Sequence, residues 1–427
     1  MKTKIILGSL LLASGLAARA QLTWVGGDAT QPLDWSLVNS NWDDGANTVV
    51  WTQGGDAVFD TAPGGNVRLR GGATGTGGPI EVNSVTVNFG GTLTLTRASG
   101  NDVDELYTVG QGLFTIDAGN ILSAQRISGT AGLTLDGGGE IRSSRGFNYT
   151  GGTTILHGTL RPESAGLPTG TGTLTLLDTS GSGDATLRNR GVNSNFDFGS
   201  NIVVQSGSTG KAILMPDPTT GTAAYTHTFS GDISMGNTLQ VTADANGLAG
   251  VALSGDMSGS GLLELGGNAF VQKTFTLSGD NSAHSGSISF YTTNNNNPHE
   301  LVINGTQGNS NINLQANDLS GTGTLTYNIF SDTSDLITKT ANSDIDLSGF
   351  TLDINTTGIQ SFLEYVLINS NTGVTGTFAN VTGGYTIDYD GTDLNPDAVV
   401  VVIPEPSTLM LMAIGLLLPL YALRRRK

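Results

Sequence analysis

Cysteine is absent from all 427 residues, only 13% of the chain is charged and only 6% is aromatic. Without thiols there is no disulfide framework, no haem attachment site and no Cys-based zinc site, so burial and backbone pairing must hold the fold together. Low charge density argues against a disordered polyelectrolyte. Cations are the scarcer sign, with 19 Lys and Arg against 36 Asp and Glu; seven cations and one acid lie in segments 1–20 and 404–427, which leaves 12 against 35 between them, a balance near −23. That balance argues against nucleic acid or anionic polymers as partners, since nothing would compensate phosphate or uronate charge. It suits a solvated surface or bridging by divalent cations. Long apolar runs are missing except at the two ends, and no convincing amphipathic helix occurs between them.

At the N-terminus, Lys2 and Lys4 precede an apolar stretch from Ile5 to Leu16 and the small-residue pattern Ala18-Arg19-Ala20. This is the layout of a cleavable secretory signal, 1–20, and it predicts a mature chain starting at Gln21. At the other end Pro404-Glu405-Pro406 is followed by an uncharged run from Ser407 to Leu423 and then Arg424, Arg425, Arg426 and Lys427. Seventeen uncharged residues are enough for a transmembrane helix over 407–423, and the basic cluster would remain cytoplasmic. Hydropathy alone would also describe an ordinary membrane anchor. The order of motif, apolar helix and basic stop resembles the PEP-CTERM sorting signal of exopolysaccharide-producing bacteria, here 399–427. The resemblance implies that an exosortase in the membrane recognises the chain and cuts near Pro404-Glu405-Pro406, after transient anchoring.

Between these ends the sequence alternates. Val82 to Phe89, Thr92-Leu93-Thr94-Leu95-Thr96, Thr171 to Leu176 and Thr324 to Ile329 put apolar residues at every second position and are bounded by Gly, Asn, Asp or Ser. That pattern predicts many short strands with one buried face. Ser-Gly pairs begin at Ser182, Ser206, Ser230, Ser254 and Ser278, each 24 residues after the last. Twenty-four residues suit one coil of a parallel β-helix, with three strands and three turns, in which each strand pairs with its copies above and below. Some 300 residues would then stack as about 12 coils, ~60 Å long at a strand spacing of ~4.8 Å. Ser128-Gly129-Thr130-Ala131-Gly132-Leu133-Thr134-Leu135, Asn148-Tyr149-Thr150-Gly151-Gly152-Thr153-Thr154-Ile155 and Gly158-Thr159-Leu160 resemble the autotransporter-associated β-strand repeat. That resemblance implies a right-handed β-helix and lends an architecture, not an activity.

All four tryptophans, Trp24, Trp35, Trp42 and Trp51, fall near the N-terminus. Over 21–70 they predict an aromatic cap on the open end of the solenoid; a platform for stacking sugar rings is the alternative. The repeat body then covers 71–345, and a C-terminal strand cap 346–398 includes Tyr385 to Tyr389 and Ala398 to Val402 at its edge. The expected fold is therefore all-β, a right-handed parallel β-helix with two caps and a separate C-terminal membrane helix.

Chemistry is sparse. His157, His227, His284 and His299 are far apart and read as turn or surface residues, with no metal-ligand spacing among them. No Gly-x-Ser-x-Gly elbow or phosphate loop occurs. Asn101-Asp102-Val103-Asp104-Glu105 lacks the ligand number and central glycine of an EF-hand. The turn aspartates Asp184, Asp232, Asp256 and Asp280 would line one edge if the period is a coil, and turn stabilisation explains them without a metal. No cofactor, catalytic or metal site is expected. Three function classes fit: an exported structural or adhesive matrix solenoid associated with exopolysaccharide, a polysaccharide-active enzyme on the same scaffold, or an ice- or lattice-binding protein, which would need threonine ladders on adjacent coils. The first uses every strong signal and is not an enzyme.

Overall fold

The computed structural model describes residues 21–402 apart from 73–77, 98–104, 164–171, 191–193, 219–224, 244–247, 268–272, 293–298, 308–311, 316–317, 323, 330–335, 340–343, 357–363, 370–373 and 390–397. Ala18, Ala20, Pro404, Glu405, Pro406, the segment 407–423 and Arg424 to Lys427 lie outside the described residues, as do Asn101 to Asp104. Among the described residues no helix is long and apolar enough to cross a membrane.

Alternation of apolar and small polar residues gives strands that are mostly three to six residues long, and the chain winds them into coils. In the middle of the molecule one coil runs Ile233–Met235, Leu239–Thr242 and Leu248–Leu253, and the next runs Met257–Gly259, Leu263–Gly267 and Thr274–Leu277. Each strand pairs in parallel with its counterpart: Ile233 lies opposite Met257, Leu239 opposite Leu263 and Leu253 opposite Leu277. Repeating this builds a 15-stranded sheet I, a 16-stranded sheet II and an eight-stranded sheet III; a five-stranded sheet IV begins at Asp280–Asn281, beside the last strand of sheet I at Ala283–His284. The only described helical turn is a single 3-10 turn, Thr382–Gly384.

In-register pairing stacks like on like. Leu93, Leu122, Ile141, Leu160, Leu187, Leu214, Val241, Leu265, Phe290 and Leu314 form one inward column of sheet II, all essentially fully buried. Each such side chain contributes about 1.5–3 kcal/mol by leaving water.

The coil is not of fixed length. Ile141 follows Leu122 by 19 residues, Leu187 follows Leu160 by 27 and Leu265 follows Val241 by 24. The 24-residue phase of the Ser-Gly pairs therefore holds for only part of its run. Gly231, Gly255, Gly279 and Gly305 do stack at one corner, where a Cβ on Gly255 would sit 2.1 Å from the Gly231 carbonyl oxygen. Ser182 and Ser206 belong to a different corner, between sheets I and II, where Gly183 packs under Gly210 and Gly207 packs over Thr179. Ser-Gly serves any tight corner, so its recurrence measured the turn chemistry and only locally the coil.

Parallel coiling also extends beyond 71–345 in both directions. Gln21–Trp24 already pairs in parallel with Gly55–Phe59, and Thr351–Thr356 with Asn380–Val381. Changes of loop length had hidden the repeat, whereas the alternation that drives pairing persists. Antiparallel strand pairs stand at the ends: Trp42–Asp43 against Gln21–Trp24 and Thr48–Val49, and Val399–Val402 against Glu364–Asn369 and Thr386–Asp388. Such strands cover edges that would otherwise template another chain.

Gly255→Ala forces a methyl group onto stacked backbone and should cost about 1–3 kcal/mol. Ser254→Ala, one residue earlier, should change stability by no more than about 0.5 kcal/mol. Urea denaturation followed by circular dichroism compares the two; equal midpoints would show that the corner does not stack as described.

Candidate functional site

Function in a solenoid is carried by what the coils point outward or gather at their corners. At the corner between sheets III and I the turn residues form an Asx ladder. The Asp232 amide donates to Asn201 Oδ1 at 3.1 Å, the Asp256 amide to Asp232 Oδ1 at 3.2 Å and the Asp280 amide to Asp256 Oδ1 at 2.8 Å. These exposed carboxylates thus tie each coil to the next, as turn stabilisation requires. Asp184 is not in that column; it accepts the Lys211 amide at the other corner, at 2.8 Å. Among the described residues no group of three or more His, Asp and Glu could hold a metal ion.

The four tryptophans meet one another inside the first coils. Trp35 and Trp42 lie 4.8 Å apart between ring centroids, Trp42 and Trp51 4.8 Å, and Trp24 and Trp42 5.1 Å, with Phe59 beside them. All four are at most 2% exposed, so none offers a ring face to a sugar. Edge-to-face and tilted contacts of this kind add to the area that each ring buries.

Three of the four histidines are in the core rather than in turns or on the surface. His227, His284 and His299 are buried, His227 and His284 at inward strand positions and His299 just before the strand Glu300–Ile303. The His284 Nε2 meets the Gly261 carbonyl at 3.0 Å, and its Nδ1 is 3.5 Å from Gln307 Nε2. His299 Nδ1 accepts the Lys273 amide at 3.2 Å, and its ring lies near Phe275 and Phe290. Lys273 is buried as well; its ammonium group donates to the Leu248 carbonyl, and burial pushes its pKa down. Only His157 is open to solvent, with Nδ1 2.8 Å from Asp136 Oδ1.

The outer face of sheet II is the one that sequence reasoning missed. Outward positions of Val67–Arg70, Glu140–Ser143, Gly158–Pro162 and Ala185–Arg190 carry Arg68, Arg70, Arg142, Arg161, Arg188 and Arg190. Three carboxylates each bridge two of them. Asp34 lies 2.7 Å from Arg68 and 2.9 Å from Arg70; Glu140 lies 2.7 Å from Arg142 and 3.0 Å from Arg161; Asp217 lies 2.7 Å from Arg188 and 3.9 Å from Arg190. Glu163 adds a contact to Arg161 at 2.7 Å. Burial alone would raise the Glu140 carboxyl, but the hydrogen bonds and charges of Arg142 and Arg161 outweigh it and hold the group below the ordinary glutamate range. The available signal was the place of Arg in the alternating pattern, as in Val67-Arg68-Leu69-Arg70 and Thr186-Leu187-Arg188-Asn189-Arg190.

On sheet I, Thr134, Thr154 and Thr175 stand on adjacent coils, in single file. Val203, Ser234 and Ser258 continue the file. The threonine rows read along the sequence at Thr92-x-Thr94-x-Thr96 give way on the next coils to Ile121 and Ser123, then Glu140 and Arg142, so no two-wide threonine lattice continues there.

Residues 402–427 match the family model described as PEP-CTERM protein-sorting motif. The chain is on that ground an exported exosortase substrate directed to the cell surface. No curated protein matches the chain. Among solved structures it is similar to the Haemophilus influenzae Hap adhesin, at 12% identity and a TM-score of 0.22, over 83% of this chain and 56% of the adhesin chain. The chain thus spans little more than half of that structure's length.

Burial holds the His284 imidazole below its ordinary value, although the hydrogen bond to Gly261 opposes the shift. The unfolded chain therefore takes up this proton first. The stability tied to His284 is full above the free-histidine value of about 6.5 and falls with pH below it, until the lower folded value is passed. His284→Gln should lose less stability than wild type between pH 7 and pH 5 in chemical denaturation. A difference between variant and wild type that does not change over this range would refute the assignment.

Proposed function

We propose that this protein is an exported, exosortase-processed solenoid with a structural or adhesive role at the cell surface or in the extracellular matrix, associated with exopolysaccharide and without catalytic activity. The observation that carries this reading is the joining of a sorting motif at 402–427 to a body whose described residues form one continuous stack of parallel coils. Such a body presents long repetitive faces, and its interior takes up His227, His284, His299 and Lys273, groups that a cleft would use. We take the coils to wind right-handed, as the autotransporter-associated repeat implies. The segment 407–423 serves as a transient membrane helix that is lost when exosortase cuts near Pro404-Glu405-Pro406.

A second reading, a polysaccharide-active enzyme, rests on one observation: the exposed His157–Asp136 pair at 2.8 Å orients an imidazole as a general base would need. The matrix reading is preferred because it needs no further group.

Two measurements test it. The purified chain should release neither reducing ends nor unsaturated sugars from neutral or acidic polysaccharides; turnover abolished by His157→Ala would make the second reading correct. In the native host, Glu405→Ala should leave the protein exported but untrimmed. Trimming as in wild type would rule out processing at this motif.

A further inference from the structure

Charge on this molecule is segregated by face. On the strands of sheet II from Asp34 to Asp217 there are seven arginines and three carboxylates; elsewhere between residues 21 and 403 there are five cations and 32 acids. One sheet of a strongly acidic rod is therefore locally basic. Arg142 lies directly opposite Arg161, and the pairing of Leu160 with Leu187 places Arg188 next in the same column. Three guanidinium groups thus rise coil by coil, about 4.8 Å apart at their bases. The bridging carboxylates hold the forks in place, and the side chains of Arg68, Arg70, Arg142, Arg188 and Arg190 remain 29–41% exposed. Thr159 and Thr186 stand beside the column on paired strands and are partly exposed, adding hydroxyls to the same face.

We propose that this face of sheet II, centred on Arg142, Arg188 and Arg190 with the buried Arg161 held between Glu140 and Glu163 beneath them, binds an acidic polysaccharide through its carboxylates. The inference rests on the matrix reading above and assigns it a surface. A planar guanidinium takes a carboxylate in two parallel hydrogen bonds, and exposed threonine hydroxyls suit sugar hydroxyls. Nucleic acid fits less well. A duplex carries one charge per ~1.7 Å, which the small cationic surplus of this face cannot match on a molecule of such negative net charge. Single strands need exposed rings for base stacking, and the only aromatic residue on these strands from Asp34 to Asp217 is Trp35, which is buried. A uronate polymer has at most one carboxylate per sugar, a sparser charge that this face can meet. The whole-molecule charge balance, which pointed away from anionic polymers, averages over this distinction.

The test uses the full chain in mild detergent, with polygalacturonate as probe and dextran of similar length as the neutral control, by affinity electrophoresis. Polygalacturonate should retard the protein at 50 mM NaCl, with affinity falling about tenfold by 200 mM as two or so contacts are screened. Dextran should have no effect. Arg188→Gln with Arg190→Gln should weaken binding about tenfold, while Arg126→Gln, off these strands, should not; circular dichroism and melting should match wild type for each. Equal retardation by dextran, none by polygalacturonate, unchanged binding by the double variant, or tighter binding to duplex DNA would overturn the proposal. So would self-association of the chain at 50 mM NaCl that the double variant abolishes, because a second copy would then own the face. Surface delivery and tail trimming are read separately in the host; if both persist while polygalacturonate binding fails, only the surface assignment falls.

Discussion

Everything in this fold depends on one coil lying in register on the next. A strand of three to six residues cannot satisfy its own backbone, so each must find a parallel neighbour above and below. Once it does, identical inward positions stack into columns such as that from Leu93 to Leu314. This accounts for a cysteine-free exported chain: cross-links are unnecessary where the backbone ladder and the core columns run the length of the molecule. It also sets the cost of irregularity. The close approach of backbone at the Gly231, Gly255 and Gly279 corner leaves no room for a side chain, whereas loops elsewhere vary freely.

The same register turns scattered residues into surfaces. Asp232, Asp256 and Asp280 become a ladder because 24 residues make one coil there. Arg142, Arg161 and Arg188 become a column although they are separated by 19 and then 27 residues. Charge totals describe solubility and long-range repulsion, but a ligand meets one sheet at a time, and the outer face of sheet II carries arginines where the corner between sheets III and I carries aspartates.

The strands were legible in the sequence wherever alternation was clean, as at Thr92 to Leu95 and Leu174 to Leu176, and so was the parallel β-solenoid class. The coil length was not, because Ser-Gly recurs at any tight corner; Ser182 and Ser206 kept the spacing while occupying another edge. The histidines were misplaced for a related reason: a sparse polar residue looks like a turn residue until its parity in the strand is known, and parity put His227 and His284 inside. The arginine face needed pairing partners, which one-dimensional spacing cannot supply when coils differ in length. The sorting tail was readable because its meaning lies in the linear order of its parts and needs no fold.

The last described strand has a mechanical consequence. Val399–Val402 lies between Glu364–Asn369 and Thr386–Asp388, hydrogen-bonded on both sides, and the chain passes from it directly into the sorting segment. While that segment is held, any tension on it enters the body through Val402. Pulled along its own axis, a strand clamped on two sides loads its hydrogen bonds together in shear, instead of opening them one at a time as a peeled edge strand does. Under such a load the C-terminal end of the stack would act as a grip.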